Sequence, residues 1–127
     1  MPRIYNGTPH PINIVANSEY RDDIRKYVVP EGTEPKIVAS VPSDSILSAQ
    51  IETVESVPIT GIPVFGKSIV GCDPLPDFYD IYIVSALYAS AARTAGIDTS
   101  KLYTVADPVY SADGRTILGS RGICPAF

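Results

Sequence analysis

The chain is short of the residues on which most recognisable chemistry depends. Among 127 residues it has no tryptophan, one methionine, one histidine and two cysteines. A lone His10 cannot make a histidine metal cluster, and any proton shuttle near neutral pH would rest on that one ring. Cys72 and Cys124 lie far apart, with no Cys-x-x-Cys pair, which reads as two reduced thiols of a cytoplasmic protein and not as a disulfide framework. The glycosylation sequon Asn6-Gly7-Thr8 has no meaning in that compartment. No run approaches the ~18 apolar residues of a membrane-spanning helix, so no membrane association is expected. Met1-Pro2-Arg3-Ile4-Tyr5 also lacks the apolar heart of a signal peptide. Basic residues number 10 against 14 acidic ones, for a net charge of −4, and they are not clustered. Nucleic acid is therefore a poor partner, because neutralising phosphates needs grouped Lys and Arg. Also missing are a Gly-x-Ser-x-Gly elbow, a Gly-rich phosphate loop ending in Lys-Ser/Thr and a His-Glu-x-x-His pair, which argues against an enzyme.

What is present is enough apolar sequence for one core. Apolar residues make up 45% of the chain and charged residues 19%, so one domain over 1–127 is expected without metal or disulfide staples. The organising stretch is 78–96. Ile81 to Val84 is a short β-branched and aromatic run that reads as a buried strand. The residues then turn to Ala, Leu and Arg and end on Gly96, a natural left-handed stop, so one main helix is expected over about 85–96. Leu87, Tyr88, Ala91, Ala92 and Ala95 would form its apolar face, and Ser85 its cap.

The flanking sequence is dominated by strands. Residues 3–6 and 11–15 read as an early hairpin or bent strand around Gly7-Thr8, with a stiff Pro9-His10-Pro11 segment. The polar stretch 17–36 reads as a surface excursion holding one helical turn and one edge strand. Strand 37–41, a Pro42-Ser43 turn and a long antiparallel strand over 46–57 with one wet face follow. Thr60-Gly61 turns the chain into a return strand with a bulge expected at Gly66. After a Pro- and Gly-rich loop (71–77) and the helix come strand 102–105 and a hairpin around Asp113-Gly114. The expected class is α+β, mainly β: a strongly bent antiparallel or mixed sheet, or partial barrel, with one main helix.

These motifs, in this order, resemble a set of small bacterial and phage proteins of unassigned function. The resemblance rests on Asn6-Gly7-Thr8-Pro9-His10, Pro42-Ser43-Asp44, Gly61-Ile62-Pro63-Val64, Phe65-Gly66, Leu75-Pro76, Tyr82-Ile83-Val84-Ser85 and Asp113-Gly114. The chain departs from that set in the charged stretch 17–36 and at Asp44, where Gly is expected. The resemblance brings no known activity. By analogy, its phage association raises the idea of a counter-defence sponge that sequesters a nucleotide immune signal.

Candidate site residues follow from residue type and setting. Ser85, at a helix start, could receive a phosphate or carboxylate on the amides of the first turn, although an ordinary N-cap is the plainer reading. Tyr82 and Tyr88 bracket that corner and could face a purine, or lie in the core. Arg115 and Arg121 could clamp a phosphate, or be surface residues. His10 with Thr8 could contact a ligand or act catalytically, and Ser43 lies at a second turn. Asp73, Asp77 and Asp80 lack calcium-loop spacing, so no metal and no cofactor are expected. The leading expectation is a homo-oligomeric, non-catalytic binder of a phosphate-bearing nucleotide metabolite. The rivals are a small hydrolase or cyclic-nucleotide lyase using His10, and a protein-interaction module acting through residues 17–36.

Overall fold

A computed structural model describes residues 2–127. Its elements in chain order begin with β1 (Ile4–Asn6), β2 (Ile12–Val15), β3 (Glu19–Arg21), β4 (Lys26–Val28) and β5 (Ile37–Val41). Two long strands follow, β6 (Ala49–Ile59) and β7 (Ile62–Cys72), then β8 (Ile81–Ile83) and the helix α1 (Ala86–Thr94). The chain closes with β9 (Leu102–Val105), β10 (Pro108–Tyr110), β11 (Ile117–Ser120) and β12 (Ile123–Pro125). The fold is mainly β with one short helix in several mixed sheets, and none of them closes into a barrel.

One sheet has four strands in the order β1-β8-β9-β12, of which the first three run parallel. A parallel step from β8 to β9 needs a crossover, and α1 is that crossover. The helix starts at Ser85, whose Oγ accepts the Tyr88 amide at 3.1 Å. It stops at Gly96, with φ +79°. There the Gly96 amide returns to the Arg93 carbonyl and the Ile97 amide to Ala92, the double bond pattern of a glycine-terminated helix. Its buried face is Tyr88, Ala89, Ala91 and Ala92, while Leu87, expected inside, is about half exposed. Tyr88, Ala89 and Ala92 of that face pack with Leu47, Tyr82, Val84 and Leu102 into one core.

The second sheet has six strands in the order β3-β4-β10-β11-β2-β5 and a smaller core of Val15, Val29 and Val109. Two expectations change here. Residues 3–15 are not a hairpin, because β1 and β2 belong to different sheets and the chain crosses between them at Gly7–Pro11. Residues 17–36 are built into the sheet as the β3–β4 hairpin, with a turn and no helix at 22–25, and they send Val28 and Val29 into the interior. The Asp113-Gly114 hairpin forms as expected, joining β10 to β11, with Gly114 at φ +74°.

The third element is a two-stranded ribbon, β6 paired with β7 alone. At ~3.4 Å per residue, its 11-residue strands reach about 37 Å. Both central residues of its tip turn, Thr60 and Gly61, have positive φ (+49° and +78°), which matches the twist of a tight hairpin. The register slips between Gln50 and Ile51 and between Ser56 and Ile59, not at Gly66. One wet face was expected on strand 46–57, but every residue of β6 after Ala49 is exposed, and no residue of β7 is fully buried.

Candidate functional site

The crossing between the two sheets is held by one side chain. Asn6 is fully buried, an uncomfortable place for an amide unless each polar atom is paired. Its Nδ2 donates to the carbonyls of His10 (3.0 Å) and Val41 (3.2 Å). Its Oδ1 accepts the Thr8 amide (3.0 Å) and the Thr8 hydroxyl (2.6 Å). The Asn6 backbone amide meets the Asp44 carboxylate at 2.9 Å, while the Asp44 amide donates to the Asn6 carbonyl. Ser43 Oγ donates to the Thr8 carbonyl. Asn6, Thr8, Ser43 and Asp44 are thus committed to shaping the crossing. Gly7 lies under Leu47, where a Cβ would stand 2.6 Å from the Leu47 Cδ1.

This crossing forms one wall of a groove of about 410 Å³ between the two sheets, lined by Thr8, His10, Ile12, Val105, Pro108 and Ile117 among others. His10 is exposed at its edge, and the hydrogen bonds it receives go to its backbone carbonyl. The Thr8 hydroxyl has acceptors on both sides, Asn6 Oδ1 and, at 3.1 Å, the His10 carbonyl. The Thr8 hydroxyl is thus engaged within the crossing. The groove is an apolar receptacle without a cationic side chain in its wall.

The helix-start corner is closed in a different way. Ser85 is exposed and engaged as the N-cap, and it is not part of the His10 groove. Tyr88 has no exposed surface, and its phenol donates to the Asp73 carbonyl. Burial, then the neighbouring Cys72 and Asp73, push that phenol up to about 12, so it serves as a hydrogen-bond donor and not as an acid or base. Tyr82 is 6% exposed and donates to the Pro76 carbonyl. The two tyrosines therefore hold the loop before β8 against the core and do not offer a face to a ligand. Asp73 is likewise occupied: its carboxylate accepts the Ser48 amide (2.8 Å) and the Gln50 side-chain amide (3.1 Å), which ties down the base of the ribbon.

Positive charge and aromatic surface meet elsewhere. The β3–β4 hairpin and β10 enclose a pocket of about 280 Å³ lined by Tyr20, Arg25, Lys26, Tyr27, Asp107 and Tyr110, among others. Tyr20 and Tyr27, paired across the hairpin, pack edge to face with ring centroids 5.0 Å apart, and Tyr20 is 49% exposed. The Arg121 guanidinium lies 4.2 Å from the Tyr27 ring centroid and binds Asp107 at 3.0 Å. Lys26 Nζ is 4.4 Å from the Tyr110 centroid and donates to the Gly114 carbonyl at 3.0 Å. Arg25 is exposed at the hairpin turn, with φ +53°. Of the expected site residues, then, only Arg121 adjoins this pocket. Arg115 is exposed on the β10–β11 turn, where its amide caps Asp113 at 3.0 Å. The Ser111 hydroxyl, then that amide, hold the Asp113 carboxyl below its ordinary value. Tyr20, Arg25, Lys26, Tyr27 and Tyr110 were not picked out from the sequence. The signal was the alternation of tyrosine with basic residues in Tyr20-Arg21 and Arg25-Lys26-Tyr27.

No protein-family model, curated protein or solved structure matches this chain.

Proposed function

We propose that the protein is a non-catalytic binder of a phosphate-bearing nucleotide metabolite, held at the pocket of Tyr20, Tyr27 and Tyr110. One observation carries the reading: in a chain of net charge −4, Arg25 and Lys26 line the pocket together with three tyrosines, and Arg121 adjoins it through Tyr27 and Asp107, the single carboxylate of the lining. A base can stack on the exposed Tyr20 ring, and phosphate oxygens can take the donors of Arg25 and Arg121. Binding an anion there requires Arg121 to share its bond to Asp107, so the affinity is set by that exchange. The biological role that fits is sequestration, in which the metabolite is held intact and kept from its receptor. The hydrolase or lyase reading loses support because the Thr8 hydroxyl is committed between two acceptors.

A thermal-shift panel of nucleoside monophosphates, triphosphates and cyclic dinucleotides tests the proposal. At ~100 times its dissociation constant a bound member adds about 2.7 kcal/mol of stability. At least one member is expected to raise the melting temperature of the native chain, to be recovered unchanged by mass spectrometry, and to lose its effect in Tyr20→Ala/Arg25→Ala. Both residues are exposed, so the variant keeps its fold. A panel with no active member overturns the proposal, as does conversion of the bound nucleotide.

A further inference from the structure

The chain carries two unpartnered apolar surfaces of opposite shape. One is the distal β6–β7 ribbon, where Val57 is 80% exposed, Ile59 64% and Ile62 65%, with Phe65 at 58% below them. The other is the His10 groove, whose rim holds Ile117 at 62% exposed and Val105 at 42%. We propose that the tip of the ribbon of one copy docks in the His10–Ile117 groove of a second copy, so that the protein works as a homo-oligomer assembled by its arms.

The surface area of the chain supports a second copy as the occupant. It exposes 8353 Å². A compact chain of 13.6 kDa exposes roughly 6,600 Å². The surplus of roughly 1,800 Å² is about twice the ~800 Å² that each partner contributes to a standard interface. An isolated two-stranded ribbon is at best marginally stable in water, because neither face is covered and both edges present unpaired amides and carbonyls. This ribbon reaches out from its Asp73 anchor with only its base against α1. Pro58 and Pro63 near its end remove backbone donors where edge-to-edge growth would begin, which leaves side-chain docking as the mode of contact. The groove is of matching chemistry: Pro11, Ile12, Val105, Pro108 and Ile117 offer aliphatic walls to aliphatic knobs. A reciprocal exchange gives a closed two-fold dimer, and a one-way exchange gives a ring.

Native mass spectrometry with light scattering on the full chain tests this at micromolar concentration. The native protein is expected at twice 13.6 kDa or a higher multiple. Two independent variants, Val57→Ser/Ile59→Ser/Ile62→Ser at the tip and Ile117→Asp at the groove, are each expected to run as monomers with unchanged circular dichroism. All four positions are exposed, so neither variant disturbs a core. A monomeric native protein overturns the proposal, and so does an oligomer that survives either variant. Nucleotide binding at the tyrosine pocket is read separately by thermal shift, so the two proposals fail independently.

Discussion

The β6–β7 ribbon and the six-stranded sheet are built from the same alphabet of β-branched and aromatic residues, yet only the sheet has an inside. Val15, Val28 and Val109 in the sheet are at most 3% exposed, while Val54, Val57 and Ile59 in the ribbon are at least 55% exposed. Strand formation and hairpin register are local matters, decided by turn chemistry and cross-strand pairing. Burial is not local. A strand becomes core only where a second layer arrives, and for the ribbon beyond the base that meets α1 no second layer comes from its own chain. The body should therefore resist change at positions where the ribbon is indifferent.

The largest effect is expected where the two sheets are joined. Asn6→Ala leaves the Val41 carbonyl and the Thr8 amide without their side-chain partner at the part-buried crossing and opens a cavity where Asn6 was fully buried, at a cost of about 2–4 kcal/mol. Ser68→Ala in the ribbon, on an exposed strand, is expected to change stability by less than about 0.5 kcal/mol. Urea titrations followed by circular dichroism give both numbers. If Asn6→Ala cost no more than Ser68→Ala, the crossing would not be the joint described here.

A matched pair of glycines sharpens the contrast at the next level. At Gly119 an added Cβ would stand 2.4 Å from the Asn13 carbonyl oxygen and 2.9 Å from Val15 Cγ2, where β11 runs beside β2. Gly119→Ala should therefore destabilise by about 1–3 kcal/mol through overpacking. At Gly66 the nearest atom is the Val54 carbonyl oxygen at 3.9 Å, so Gly66→Ala should be neutral or slightly stabilising, by up to about 0.5 kcal/mol. The same substitution in the same kind of element is then costly in the sheet and free of cost in the ribbon, and denaturant midpoints of the two variants decide it.

The same distinction marks what could be read in the sequence. Elements that depend on neighbours along the chain were legible: Ser85 as a cap, Gly96 as a stop, Thr60-Gly61 and Asp113-Gly114 as turns. Features that depend on distant partners were not. Nothing in residues 3–15 reveals that β1 pairs with β8 and β2 with β5 and β11, since both strands look alike as isolated runs. Asn6 read as part of a motif, but its role depends on Val41 and Asp44, some 35 and 38 residues away. Tyr82 and Tyr88 could face a ligand, although the core was the commoner place for them, and their burial with the bonds to the Pro76 and Asp73 carbonyls shows that they are interior. The tyrosine pocket required the β3–β4 hairpin to lie beside β10, a parallel contact between residues about 80 apart that no local pattern announces.

The smallest expected effect tests whether the ribbon is energetically its own unit. Thr60 sits at φ +49°, in the left-handed region that a β-branched residue occupies only at a cost, at the first central position of the turn. Asn tolerates that region because its short side chain can bond locally, so Thr60→Asn should stabilise the ribbon by roughly 0.5–1 kcal/mol. If the ribbon opens independently of the body, the gain appears only there. Amide exchange in β6 and β7 should slow several-fold at dilutions where the chain is monomeric, while amides in β9 and β10 and the urea midpoint stay where they were. A rise in the urea midpoint by the full amount would mean that ribbon and body unfold as one. The Asp73 anchor and the α1 contact at the ribbon's base would then carry cooperativity to its tip.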